Sequence, residues 1–343
     1  MTHLIIMYED ESVDVRYRDG TRLQLSSCGS EFLLEKPADP RGHPPQPTER
    51  VRQRTRFTVS AYKELVVAAL EFRNNYASRP YLPEELISAD KKKVIICVQW
   101  PERSSFQAED RPGGEIGIKS EEDRAALILS PSGETFSVEF TCSLSRDESQ
   151  RPGLQCLDGT DSQTQCDYCV LSSKPIQMFQ SATVVQHHSC SAFSPTWAYP
   201  LSLVRHHWMS HFSEDVEASD SSISTGTNRE TSDMPCEERI SQLPQALSLT
   251  CPLPHWHRFD IPTDLVKIVW CQGIIYRILS GTGIEICPGD GSVIRSTGIS
   301  NSYFTHHKFD LQSKQLTYHL NSLPPDVHGQ MYSVCSVVNR ANR

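Results

Sequence analysis

Apolar and polar side chains alternate near the start of the chain, with one interruption. Val13, Val15 and Tyr17 stand at every second position, which is typical of a strand with one buried face. The dipeptide Asp19-Gly20 follows, and it is favoured in tight hairpin turns. The alternation then resumes on the return strand, so the pattern predicts an antiparallel β-meander.

The spacing of apolar residues changes after a proline-rich loop at 37–49. Phe57 and Val59 still alternate and predict one more strand. From Ser60 to Asn75 apolar residues recur at helical spacing, with Ser60 as the expected N-cap. A helix with one apolar face must bury that face against a sheet. We therefore predict a sheet-plus-helix module at residues 1–78, followed by a linker at 79–93.

The last part of the chain repeats this plan, and residues 241–343 form a third predicted module. A helix is expected to start near Met331 and to be cut short at Arg343. The Asp290-Gly291 hairpin superposes on the first hairpin, which indicates internal duplication; two unrelated meanders are the alternative. Six strands are predicted: Leu265–Trp270, Ile274–Leu279, Ile284–Cys287, Val293–Ser296, Ser302–Phe309 and Gln315–Leu320.

The middle of the chain predicts a second β-rich module at residues 94–212. A helix from Pro200 carries an apolar stripe, and a polar, aperiodic tract at 143–196 is predicted to be a disordered insertion. The predicted strands are Val94–Val98, Glu115–Lys119, Ala125–Leu129 and Thr135–Cys142. The predicted fold class is thus α+β, mainly antiparallel β, with two or three meander-plus-helix modules joined by disordered linkers.

Composition and charge limit the functional classes to which this chain can belong. The 343 residues carry 33 Lys and Arg against 42 Asp and Glu, a net charge of −9. This balance argues against a dedicated nucleic-acid binder, because phosphate neutralisation needs a basic face. Much of the charge is local, since residues 213–239 hold eight acids and two arginines. We predict an acidic, serine-rich disordered linker at 213–240.

The chain shows no sign of export or of membrane insertion. It has no apolar run long enough to span a bilayer, and its first residues lack the basic region of a signal peptide. Its 12 cysteines are scattered along the length, as expected for reduced thiols in the cytoplasm or nucleus. We therefore expect no membrane partner.

The first hairpin resembles a polo box, the non-catalytic module of polo-like kinases. The resemblance implies a six-stranded antiparallel sheet packed on one helix, in a module that binds partner proteins. No kinase motif accompanies it: a Gly-rich loop with a paired Lys, His-Arg-Asp and Asp-Phe-Gly are all missing from the sequence. The matching residues are Ser12, Val13, Val15, Tyr17, Asp19, Gly20, Thr21, Leu23, Leu25, Ser26 and Gly29.

The whole chain is similar to a vertebrate open-reading-frame family named after a human chromosome-five locus. The stretches that carry this resemblance are Gly29–Phe32, Glu49–Thr55, Ala246–Pro254 and Pro288–Val293. The family brings no known activity. Its members extend beyond the position equivalent to Arg343, which leads us to expect a truncated or alternative form.

Four arginines alternate with other residues just before the predicted helix: Arg50, Arg52, Arg54 and Arg56. On an extended strand all four would point to one face, where they could bind an acidic or phosphorylated partner segment. The acidic linker of this chain is a second possible ligand. The alternative is a solvated edge strand that its charges protect from aggregation. Nucleic-acid binding through this row is a further hypothesis, against which the acidic balance of the chain argues.

A Cys/His group in the middle of the chain is a weak metal candidate. Cys166 and Cys169, with His187 and Cys190 downstream, have a spacing that could close a tetrahedral zinc site. Incidental Cys and His residues in a loop are the alternative interpretation.

These patterns favour a non-enzymatic protein–protein interaction or scaffold protein. We expect other proteins as partners, self-association between modules, and no cofactor. The expected location is the cytoplasm or nucleus and, by analogy with polo-box proteins, the centrosome. A structural zinc-binding protein is the alternative function.

Overall fold

The computed structural model of the protein describes twelve parts of the chain. These are residues 2–37, 49–83, 90–91, 97–143, 180–214, 239–247, 265–279, 283–297, 302–308, 315–326, 329 and 331–342. All structural statements below concern these residues.

The described residues form nineteen strands and three α-helices. The N-terminal part contains β1 (Thr2–Tyr8), β2 (Val13–Tyr17), β3 (Arg22–Leu25), β4 (Glu31–Lys36), β5 (Glu49–Arg54) and α1 (Lys63–Tyr76). The middle part contains β6 (Asp90–Lys91), β7 (Cys97–Gln99), β8 (Glu109–Asp110), β9 (Ile116–Lys119), β10 (Ala125–Leu129), β11 (Thr135–Ser143), β12 (Gln180–Ser189) and α2 (Ala198–Glu214). The C-terminal part contains β13 (Ile240–Gln242), β14 (Val266–Cys271), β15 (Ile274–Leu279), β16 (Gly283–Cys287), β17 (Val293–Thr297), β18 (Tyr303–His307), β19 (Gln315–His319) and α3 (Val334–Ala341).

The first and third modules share one antiparallel sheet of eleven strands, in the order β19-β18-β17-β16-β15-β14-β1-β2-β3-β4-β5. The two halves meet where Ile5 of β1 lies opposite Trp270 of β14. Within each half every strand pairs with its neighbour in sequence, which confirms the predicted meanders. The join pairs segments far apart in the chain, and no local pattern predicted it.

The helix α1 covers the first meander. Val66 and Leu70 are fully buried against Leu23 and Leu25 in one apolar core. Gly29 permits this close approach, because a Cβ atom there would lie 3.2 Å from Leu70 and 3.0 Å from Tyr81, and its φ of +74° disfavours other residues. The helix therefore lies across the sheet as predicted.

The helix α3 covers the third meander in the same manner. Val334, Val337 and Val338 are buried against Ile286 and Phe304. The predicted helix and all six predicted strands of this module are present, with small differences in their ends. The architecture is α+β and mainly antiparallel, as the sequence predicted.

The second module is a six-stranded sheet in the order β6-β12-β11-β10-β9-β8. Its core joins Leu201 and Val204 of α2 to Leu127 and Phe140 of the sheet. The strand β12 lies inside the tract 143–196 that the sequence predicted to be disordered, so that prediction is wrong for residues 180–196. The predicted first strand of this module is also different, because β7 pairs with β13 in a separate two-stranded sheet.

Two predicted boundaries need correction. In the predicted linker 79–93, Tyr81 and Leu82 are buried in the cores of the first and second modules. At the start of the predicted third module, Leu243 and Ala246 are buried in the second core. The segment 240–247 therefore belongs to the second module.

The predicted strand with Phe57 and Val59 is also wrong. A 3₁₀ turn at Thr55–Phe57 ends the strand, and Phe57 and Val59 are 62% and 45% exposed. A second 3₁₀ turn, Ser60–Tyr62, precedes α1. The helix starts at Lys63 and its N-cap residue is Tyr62. The prediction of Ser60 as the N-cap is therefore wrong.

The two Asp-Gly hairpins have the same local geometry. The amide of Thr21 donates to Asp19 Oδ1, and the amide of Ser292 donates to Asp290 Oδ1, both over 3.0 Å. The second residue of each turn is a glycine with φ near +85° (Gly20 +85°, Gly291 +83°). Asp-Gly hairpins commonly have this geometry, so internal duplication and two unrelated meanders both stay as explanations of the repeated plan.

Candidate partner-binding edge and the junction between modules

The strand β5 is one of the two outer strands of the large sheet. Arg50, Arg52 and Arg54 alternate along it, and their side chains are 64%, 54% and 63% exposed. Val51 lies between two of them and packs against the core of the first module. This alternation fixes the orientation of the strand, because one face is held by the core and the other is left to the arginines.

Two glutamates of β4 lie beneath this arginine row. Arg50 donates to Glu35 over 2.6 Å, while Arg54 and Arg52 lie 3.8 and 4.0 Å from Glu31. Three exposed guanidiniums therefore face two half-buried carboxylates. The arginine row and its two glutamates together therefore keep a net positive charge. Exposed ion pairs of this kind stabilise a fold by only about 0–1 kcal/mol.

The fourth arginine of the predicted row departs from it. Arg56 lies in the 3₁₀ turn after β5, with its guanidinium 4.8 Å from the centre of the Phe57 ring. The expectation that all four arginines share one face of a strand is therefore wrong for Arg56. The row consists of the three strand residues.

The backbone of β5 is open on its outer side. The amide of Thr55 donates to Ser30 O over 2.9 Å, so Thr55 directs its backbone groups towards the neighbouring strand. Backbone N–H and C=O groups alternate in direction along a strand. Those of Arg50, Arg52 and Arg54 therefore point away from β4, on the side where another strand could pair.

The acidic linker lies almost wholly outside the described residues. Of residues 213–240, the structure describes 213–214 and 239–240. Whether this segment occupies the arginine row therefore stays an open prediction.

A second cluster of charges lies between the second and third modules. Glu285 of β16 is fully buried and binds two arginines, with Arg277 at 2.5 Å and Arg295 at 2.7 Å. Ser189, at the end of β12, donates to the same carboxylate over 2.7 Å. A buried carboxylate with three donors is well satisfied, and one of those donors comes from the other module.

The cluster continues to a second carboxylate. Arg295 lies 2.6 Å from Glu134 of the second module, and His307 Nδ1 lies 3.4 Å from the same residue. Burial lowers the pKa of His307, against the opposing effect of Glu134. The two modules are thus joined by alternating charges that are shielded from water.

The sequence analysis missed this junction, although a signal was present. Arg277 lies opposite Glu285, and Glu285 lies opposite Arg295, on three neighbouring strands. The signal in the sequence is a charged residue inside each of these apolar strands. Glu285, for example, stands between Ile284 and Ile286. Both faces of β16 are covered, so a charge on either face needs a buried partner.

The weak metal candidates are placed only in part. Cys166 and Cys169 lie outside the described residues. His187 is exposed on β12, and Cys190 follows that strand, where burial raises the pKa of its thiol to about 12. Within the described ranges no three His, Cys, Asp or Glu side chains are grouped so as to hold a metal ion. The four-ligand zinc site stays a prediction.

Membrane insertion through a helix finds no support in the described ranges. Each of the three helices there falls short of the length and apolar content that a bilayer-spanning helix requires.

Comparison with protein families assigns a description to each module. Residues 5–74 match the model "C5orf34-like, N-terminal", and residues 113–204 match "C5orf34-like, second domain". Residues 266–343 match the Polo box domain. The Polo box match thus falls on the third module, which has the six strands and one helix expected of a polo box. The resemblance in the sequence analysis was based on the first module.

Comparison with individual proteins gives relatives along the whole chain. The C5orf34 homologue of Bos taurus is 34% identical over 416 aligned residues, and that of Mus musculus is 34% identical over 420. The human C5orf34 protein is 33% identical over 416. Each alignment covers 99% of this chain and 64% of the relative.

Proposed function

Since this chain belongs to the C5orf34-like family and carries a Polo box domain at residues 266–343, we propose that it is a non-enzymatic protein-interaction protein. Polo box domains generally bind phosphorylated protein segments. In this chain we assign partner binding to the outer strand β5, with Arg50, Arg52 and Arg54 as the recognition residues. The chain spans 64% of the length of its curated relatives, and the proposal concerns the part present here.

One observation carries the proposal. The strand β5 combines an open backbone edge with a row of exposed guanidiniums on one face. An extended peptide that adds to such an edge gains main-chain hydrogen bonds, and its alternate side chains are recognised by the residues of the edge. The three arginines select acidic or phosphorylated side chains, which guanidinium groups bind through paired hydrogen bonds.

The spacing of the row defines the partner segment. Alternate residues of a strand lie about 6.8 Å apart on one face. An added strand has the same repeat, so its acidic residues must stand at every second position to meet successive arginines. The partner is therefore an extended segment that carries Asp, Glu or phosphoserine at alternate positions.

The test uses fluorescently labelled peptides of twelve residues in which Glu or phosphoserine alternates with Thr. Binding to the whole chain is measured by anisotropy, with a Lys-Thr peptide as the charge-reversed control. We expect saturable binding of the acidic peptides, and a loss of at least tenfold in affinity when Arg50, Arg52 and Arg54 are replaced by Ser.

A charge-matched variant separates the row from general electrostatics. Arg18→Ser, Lys63→Ser and Arg103→Ser remove three exposed positive charges elsewhere. We expect this variant to bind the acidic peptides nearly as well as the wild type. Equal losses in both triple variants would reject β5 as the docking edge.

The cellular location is part of the proposal and rests on analogy. We propose that the protein is cytoplasmic or nuclear and acts at the centrosome, by analogy with other proteins that carry a Polo box domain. Imaging of the tagged chain through the cell cycle tests this directly, and a uniform distribution would contradict it.

A further inference from the structure

A cleft of about 310 Å³ lies between the second sheet and the third module. Its walls come from the end of α1, from β10 to β12, from β15 and from the turn before β17. Its volume is near the lower end of the range for small-molecule sites. It is separate from the arginine row of β5, whose residues do not line it.

The cleft has one buried cation. Arg277 is 8% exposed, with one N–H directed to Glu285 at 2.5 Å and another to the backbone oxygen of His187 at 3.4 Å. A guanidinium carries five N–H donors. Within the described part of the chain the other three have no acceptor, and a polar group in such a setting favours an acceptor from a ligand or from water.

Two further polar side chains turn towards the same space. The rings of Tyr76 and His187 lie 5.9 Å apart, and the Arg277 guanidinium lies 6.0 Å from the centre of the Tyr76 ring. Burial raises the pKa of Tyr76 to about 12, so its hydroxyl keeps its proton and can donate. Among the described residues neither the Tyr76 hydroxyl nor the His187 ring has a hydrogen-bond partner, which leaves both available.

The opposite wall is apolar in part. Ile128 of the second sheet and Ile275 of β15 line it, beside the small polar side chains of Ser130, Thr135 and Ser137. A ligand that fits must therefore present acceptors on one side and an apolar body on the other. Inorganic ions have no apolar part, so they do not match this cleft.

The charge of the cleft limits the charge of its ligand. Arg277 shares Glu285 with Arg295, Arg295 also contacts Glu134, and Glu115 lines the cleft. Arg277 is the one cation among the described lining residues. The neighbouring carboxylates therefore disfavour a doubly charged phosphate more strongly than an acid with a single negative charge.

We propose that this cleft binds a small monocarboxylic acid. Arg277 and the Tyr76 hydroxyl hold its carboxylate, and its apolar body packs on Ile128 and Ile275. His187 adds one donor or acceptor beside the carboxylate. This site is independent of the peptide edge on β5.

The test uses sodium benzoate as the probe and benzamide as its uncharged counterpart. Isothermal titration with the whole chain is expected to give one saturable site for benzoate with a roughly millimolar Kd. We expect benzamide to bind at least tenfold more weakly. If the cleft holds water only, benzoate will show no saturable binding, and that result would overturn the proposal. Equal affinities for benzoate and benzamide would overturn it too.

Variants link the binding to the cleft. Tyr76→Phe removes a hydroxyl that bonds no described residue, so the melting temperature should not change while the benzoate Kd rises at least threefold. Arg277→Gln should abolish binding, although this variant also disturbs the ion pair with Glu285. The Ser triple variant of β5 should bind benzoate normally, so a failure of the peptide proposal leaves this one standing. An unchanged Kd in Tyr76→Phe would reject the assigned site.

Discussion

The guanidinium of Arg50 lies 2.6 Å from the carboxylate of Glu35 on the neighbouring strand, while 64% of its side chain remains exposed. An exposed ion pair of this kind gains little over hydration. The arginine can therefore exchange its intramolecular partner for an acidic side chain of another chain at small cost. The glutamates of β4 therefore compete with a ligand of the arginine row.

This competition predicts a gain of affinity when the glutamates are neutralised. In Glu31→Gln and Glu35→Gln the arginines keep their positions but lose an intramolecular carboxylate. The affinity for the acidic Glu-Thr peptide should rise about two- to fivefold, the range that corresponds to an exposed ion pair. Glu139→Gln, at an exposed position of β11, is the control and should leave the affinity unchanged. A weaker peptide complex in both β4 variants would contradict the competition.

Strand addition predicts a difference between two substitutions at one position. Arg52→Ser removes a side chain, whereas Arg52→Pro also removes a backbone N–H that points to the open edge. Peptide binding should be weaker in Arg52→Pro than in Arg52→Ser. Circular dichroism should show the same sheet content in both, because the lost N–H does not pair with β4. Equal affinities would mean that the arginines act without main-chain pairing.

The module junction predicts a large effect at Glu285. Replacing it by Ala leaves the buried guanidinium of Arg277 without its carboxylate and removes one of the two carboxylates that contact the partly exposed Arg295. The free energy of unfolding should fall by about 3–5 kcal/mol, measured by urea denaturation.

The matched variant at this junction is Ser189→Ala. It removes one donor to the same carboxylate and leaves the two ion pairs intact, so the expected loss is about 1–2 kcal/mol. A loss in Glu285→Ala no larger than that in Ser189→Ala would show that the charges do not hold the modules together.

Two buried histidines predict how stability depends on pH. Burial lowers the pKa of both His188 and His306 to about 4, below the ordinary value of 6.5. Between pH 6.5 and about 4 the unfolded chain therefore binds protons that the folded chain does not, so stability falls as the pH falls. Each group contributes up to about 1.4 kcal/mol per pH unit in this window.

The histidine contribution is isolated by substitution. His306→Gln should reduce the slope of unfolding free energy against pH between pH 6.5 and 4.5, compared with the wild type. His3→Gln is the control, since His3 is exposed near the chain start, and its slope should match the wild type. An unchanged slope in His306→Gln would contradict the predicted protonation.

Local alternation predicted the two meanders and their helices, and it failed where a polar residue is buried. The tract 143–196 predicts disorder because it is polar and aperiodic, yet the strand β12 lies within it, with Gln186 buried. Its amide donates to Ala77 O over 2.8 Å, a partner supplied by the end of α1. Periodicity cannot show that a polar side chain will find such a partner, so the strand was missed.

The sequence shows the alternation of Arg50, Arg52 and Arg54 and offers an edge strand as one interpretation of it. The end of that strand does not follow from the sequence. Thr55 donates its hydroxyl to Gly29 O over 2.8 Å inside the core, and this contact turns the chain before Arg56 and Phe57. The pairing of β1 with β14 likewise depends on tertiary contacts between remote segments.

Amide hydrogen exchange of β5 tests the central claim most directly. With the acidic Glu-Thr peptide bound to the whole chain, the outward amides of Arg50, Arg52 and Arg54 should exchange at least tenfold more slowly, because an added strand accepts their hydrogen bonds. The amides of the opposite outer strand, β19, should be unaffected. Peptide binding that leaves the three β5 amides at their free exchange rates would contradict docking at this edge.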